Sequence, residues 1–108
     1  MAINRNDLVK PELPRETVAV LALGGEVIVR GLLLGERLGL FADLREDGKS
    51  YAHISKLLAA TVICDDGQPL MREAEWEAFG GQHFTEALEL FAVARRMSGL
   101  DAEVIEKN

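Results

Sequence analysis

TVAVLALGGEVIVR, residues 17–30, is the stretch whose reading decides the fold. Residues 17–23 are β-branched or apolar, Gly24-Gly25 interrupts them, and residues 26–30 (EVIVR) resume the β-branched character. Two short apolar runs around a Gly-Gly pair read as a β-hairpin, because glycine accepts the positive φ that tight hairpin turns require. On the N-terminal side, Pro11 and Pro14 fix φ and hold their predecessors extended. Residues 1–15 therefore read as an extended arm, with Leu8 and Val9 available to dock.

Beyond the hairpin the apolar period changes from two to about 3.6. Leu33, Leu34, Arg37, Leu40, Phe41 and Leu44 share one face of a helix over residues 33–46, with Glu36, Asp43 and Glu46 opposite. Gly48 ends that helix, and Ser50 caps a second one over residues 50–63. Its stripe is Tyr51, Ile54, Leu57, Leu58, Thr61 and Val62, and His53 and Lys56 lie off it. Asp65-Asp66-Gly67-Gln68-Pro69 is turn chemistry. A short helix over residues 73–79 carries Trp76 and Phe79, Gly80-Gly81 breaks it, and a long helix over residues 82–98 ends at Gly99. Asp101 caps a last turn before an acidic, frayed tail, residues 101–108. The expected fold is α+β: an N-terminal hairpin packed with four amphipathic helices in one domain, residues 16–100.

The chain has 108 residues, enough for one core. Its net charge of −6, from 18 acidic against 12 basic residues, repels phosphate, so nucleic acid is not an expected partner. The longest apolar run, Val18–Leu23, falls far short of the ~20 residues a membrane span needs. The single cysteine, Cys64, cannot form an internal disulfide and reads as a small buried hydrophobe. These features fit a cytoplasmic protein without membrane contact.

Chemistry is not expected. Asp65, Asp66, Glu73, His53 and His83 are the candidate metal ligands, but the acidic loop lacks the alternating oxygen ligands of a calcium site. Neither histidine is paired at the one-turn spacing that would share an ion. Cys64 has no histidine near it in sequence, and no Gly-x-Ser-x-Gly elbow is present. The glycines at 24–25, 31 and 35 are followed by no phosphate-binding lysine. The reading is a non-enzymatic interaction module without metal or cofactor.

Its candidate partner-binding residues are Arg37, Leu90, Val93 and Met97. Arg37 lies within an apolar stripe, where a charge must be ion-paired, extended to the surface or turned to a partner. The long helix bears two apolar rows, Phe84–Leu88–Phe91 and Leu90–Val93–Met97, about 120° apart. The first is expected to face the core; the second is either core as well or the surface for a partner or a second copy of the chain.

The order of these pieces resembles the tail assembly chaperones of long-tailed, siphovirus-type bacteriophages and prophages. The resemblance runs through Leu8-Val9-Lys10-Pro11, Leu13-Pro14-Arg15-Glu16-Thr17-Val18, Gly24 to Leu32, and Gly35-Glu36-Arg37. It continues through Asp66-Gly67-Gln68-Pro69-Leu70, Glu75-Trp76, Ser98-Gly99-Leu100 and the closing Glu106-Lys107-Asn108. Two positions depart from it: Leu23 stands where an aromatic is expected, and Arg72 where Ser or Thr would cap the Trp76 helix. The resemblance implies a non-structural protein that binds the tape measure protein and prevents its long hydrophobic helices from aggregating until tail tube subunits polymerise around it. The major tail tube protein is a second implied partner, and a homo-oligomer a further expectation. The competing reading is a small acidic regulatory or antitoxin-like module that neutralises one cellular partner.

Overall fold

The hairpin forms, but around a longer loop than two residues. In the computed structural model, which describes residues 1–47 and 52–99, β1 (Arg15–Val20) pairs antiparallel with β2 (Gly25–Arg30), Val20 opposite Gly25. Leu21–Leu23 leaves the strand as a 3-10 turn, closed by the Gly24 N–H donating to the Leu21 carbonyl at 3.0 Å. Gly24 has φ +86°, while Gly25 is an ordinary strand residue. A four-residue loop needs one left-handed position, at its end, and not the two that a Gly-Gly turn implies.

The helices are α1 (Leu34–Asp47), α2 (Ala52–Thr61), α3 (Glu73–Gln82) and α4 (Phe84–Ser98). The expected stops and caps at Gly48, Ser50 and Asp101, the stripe position Tyr51 and the tail 101–108 lie outside the described residues, as do the side chains of Phe41, Asp43, Leu44 and Glu46. The second helix does not run to 63. Thr61 turns its hydroxyl back to the Leu57 carbonyl at 2.6 Å, and the β-branched pair Val62–Ile63 becomes β3, opposite Val29 and Ile28 of β2. The sheet order is β1-β2-β3.

The acidic stretch after β3 is a tight return. Gly67, at φ +87°, donates to the Cys64 carbonyl at 3.0 Å, and the Asp66 carboxylate accepts the Gln68 N–H at 3.0 Å. These bonds bring Pro69 opposite Ile63 and let Leu70 donate to the Val62 carbonyl at 3.0 Å. At the start of α3, Glu75 accepts the Arg72 N–H at 3.1 Å. An arginine side chain has no acceptor to offer in exchange, so one half of a capping box forms. Gly80-Gly81 does not break this helix; the break is His83, whose N–H closes α3 on the Phe79 carbonyl at 2.7 Å. Its own carbonyl opens α4 by accepting the Ala87 N–H at 3.0 Å.

One core joins Val20, Val27, Val29 and Val62 of the sheet to Leu57 and Leu58 of α2, Trp76 and Phe79 of α3, and Ala87, Leu90 and Ala94 of α4. Trp76 and Phe79 meet edge to face at 5.5 Å. Helix α2 packs against α1, α3 and α4, so burial extends around it. His53, expected off the stripe, is buried as well, with neither ring nitrogen bonded to a partner among the described residues.

Helix α1 departs most from its expected face. Leu33, Leu34 and Leu38 are exposed, while Glu36, placed on the polar side by the sequence, holds the helix to the sheet. Its two carboxylate oxygens accept from the two terminal nitrogens of Arg30 at 2.9 Å each, and one also accepts the Leu33 N–H at 2.9 Å. This is a bidentate, charge-assisted pair at a helix N-terminus. The Arg30 hydrogen bonds hold the Glu36 carboxyl below its ordinary range, with Leu33 adding to the effect and partial burial opposing it.

Two outcomes follow. Gly24→Ala should cost about 1–2 kcal/mol because its φ is left-handed, whereas Gly25→Ala should change stability by under about 0.5 kcal/mol, both read by urea denaturation. Glu36 is deprotonated more readily in the folded chain, so its contribution is fully present above the ordinary carboxylate pKa of about 4.3 and is lost as pH falls through the lowered value. Glu36→Gln should therefore melt at a lower temperature near neutrality and show a shallower loss of stability in the acid range.

Candidate partner-binding surface

Arg37 is occupied within the chain. Its Nη2 donates to the Gly99 carbonyl at 3.1 Å, placing the guanidinium at the C-terminus of α4. There the last carbonyls lack helical partners and the helix dipole is negative. Gly99, at φ 70°, turns its N–H back to Arg95 and Arg96 in a left-handed cap. A cap between α1 and α4 thus accounts for the charge in the apolar stripe without an outside partner. A second tie, Arg96 to Glu16 at 2.7 Å, holds α4 to β1.

Of the two readings of the Leu90–Val93–Met97 row the structure takes the packed one, and the row expected to be core is exposed at Phe84 and Leu88. Leu90 is 1% exposed, and Val93 and Met97 are half-buried against the core. Phe84, by contrast, is 64% exposed and Leu88 is 38% exposed, with Phe91 half-buried beneath the Arg95 guanidinium. The reason lies in the small residues. Ala87, Leu90, Ala94 and Ser98 form the buried face, and the two alanines allow the helix backbone close enough for Leu90 to fill the core. Considering only large side chains hides that face. Leu90, Val93 and Met97 therefore belong to the packing, and the apolar surface left over is the other row.

That row borders a groove. Ile54 of α2, Trp76, Gly80 and Gly81 of α3, and Phe84 and Leu88 of α4 line a depression of ≈ 420 Å³. The two glycines leave it unfilled, since they bring no side chains to the α3 wall, and Gly80 would carry a Cβ only 3.7 Å from that of Ala87. Trp76, 1% exposed, and Glu77 also line it. An apolar trough between helices, bordered by exposed Phe84 and Leu88, suits the apolar face of an amphipathic helix. The signal was present in the sequence as Gly80-Gly81 followed by Phe84 and, one turn on, Leu88.

Among the described residues, no three His, Cys, Asp or Glu side chains are placed to hold an ion. Asp65 and Asp66 are exposed turn residues, and Cys64 is half-buried with its thiol 4.0 Å from the Pro69 carbonyl. No helix among the described residues is long and apolar enough to cross a membrane.

The two rows make a sharp mutational contrast. Leu90→Ala should lower stability by about 2–5 kcal/mol, as a cavity in a packed core does, and Leu88→Ala by less than about 1 kcal/mol. Chemical denaturation of the two variants measures both.

No protein-family model, curated protein or solved structure matches this chain.

Proposed function

We propose that the chain is a tail assembly chaperone of a siphovirus-type bacteriophage or prophage, and that it shields amphipathic helices of the tape measure protein in the α2–α3–α4 groove. It acts in the host cytoplasm by binding, not by catalysis, and it leaves before the virion is complete. The major tail tube protein, arriving as the shielded helices are wrapped, is the second partner. The observation that carries this reading is the exposure of Phe84 and Leu88 beside an unfilled apolar trough, while Trp76 and Phe79 nearby are buried. Exposed apolar surface of this kind marks interaction sites on soluble domains. The order of sequence pieces, from the proline-bearing arm through the hairpin to Ser98-Gly99-Leu100, supports the choice of partner.

Co-expression with the tape measure protein encoded nearby tests it. The unaltered chain should bring that protein into the soluble fraction. Phe84→Asp with Leu88→Asp should keep the parent's circular dichroism spectrum yet lose the solubilising effect, because each carboxylate would have to be desolvated against an apolar helix. A tape measure protein equally insoluble with and without the parent chain would overturn the reading and leave the regulatory, antitoxin-like one standing.

A further inference from the structure

β1 is an edge strand of the sheet, and among the described residues no strand pairs with its outer side. The phase of the ladder is set by Gly31, whose N–H donates to the Pro14 carbonyl at 2.9 Å. With Arg15 opposite Arg30 and Val20 opposite Gly25, even-numbered positions of β1 turn their backbone groups toward β2. Arg15, Thr17 and Ala19 turn theirs outward, and among the described residues these groups have no backbone partner. Beside this open edge lies a second groove, ≈ 250 Å³, between β1 and α4. Val18, Val20, Leu21 and Leu90 make it apolar, and Glu86 and Glu89 give it an acidic wall. Such a site fits an extended, apolar strand that carries positive charge.

The chain itself has that segment. Residues 1–12 are all exposed, Val9 at 88% and Ile3 at 70%. Residues 1–10 bear Arg5 and Lys10 against the single carboxylate Asp7, on a chain whose net charge is −6. The arm, expected to be extended throughout, carries one 3-10 turn at Arg5–Asp7; Leu8 after it has extended backbone, and Pro11 and Pro14 hold their predecessors extended.

We infer that the N-terminal arm of one copy adds as a strand to the β1 edge of a second copy. The backbone of Leu8–Lys10 pairs with the outward groups of Arg15, Thr17 and Ala19, and the cations of the arm lie against Glu86 and Glu89. Pairing β1 with β1 instead would bring two acidic walls together and leave the apolar arm uncovered. The arrangement is independent of what the other groove binds.

Sedimentation velocity of the full chain over a concentration series tests it. The parent should self-associate, more weakly as salt is raised. Leu8→Asp with Val9→Asp, in a segment that makes no core contact, should weaken association at least ~10-fold with an unchanged melting curve. Thr17→Pro should do the same, because it removes an outward N–H and no β1–β2 bond. A parent that stays monomeric at every concentration, or association unchanged in either variant when folded, overturns the proposal.

Discussion

Gly31 has no side chain, and a Cβ there would stand 2.7 Å from the Met97 carbonyl oxygen and 3.0 Å from the Pro14 ring. This is where the end of β2, the entry of the arm into β1 and the last turn of α4 converge. The approach is possible because the face α4 turns inward carries Ala87, Ala94 and Ser98 around a single large residue, Leu90. Other features inherit that short separation. Arg96 reaches Glu16 on β1, and Arg37 reaches the terminal carbonyl at Gly99, only with α4 seated this low on the sheet. A larger residue at Gly31 meets backbone on one side, so the strain cannot be relieved by a rotamer change.

The ion pairs fix position more than they add stability. Arg96–Glu16 is substantially exposed, and pairs of that kind contribute about 0–1 kcal/mol. Arg30–Glu36 is better sheltered and bidentate, and Glu36 also satisfies the Leu33 N–H at the start of α1. Helix α1 packs on α2 and leaves Leu33, Leu34 and Leu38 outside. Its direction is therefore set at two points, Glu36 on Arg30 and Arg37 on Gly99, as much as by burial of an apolar stripe.

The α+β class and the existence of each helix were legible, because hairpin patterning and apolar period are local properties of the chain. Most of the misreadings concern which neighbour is present, and local pattern does not carry that; the hairpin loop, read as a two-residue Gly-Gly turn, is instead a misreading of local turn length. Val62–Ile63 continues a helical stripe by spacing, yet a free ladder position on β2 draws it into the sheet. Gly80-Gly81 looks like a stop, yet lies inside α3 where it faces α4. His53 sits off the stripe, yet α2 has helices on more than one side. The inward face of α4 was illegible because alanine is a weak hydrophobic signal and a strong packing one. The Glu36 link had a sequence cue, a glutamate three residues after the position preceding the helix, but its partner Arg30 comes from the neighbouring strand.

The two margins of the sheet are unequal. On the far side, β3 is two residues long, and the returning chain lays Pro69 and Leu70 along it. Proline has no N–H to offer a further strand, so that margin is a terminus. A sheet that can lengthen at both margins is a template for fibrils, since each added copy presents a new edge as good as the last. Here β1 can receive a strand and β3 cannot. The chain carries an adhesive margin and a blunt one, and hydrogen-bonded stacking of whole sheets into a ribbon is arrested by its own geometry.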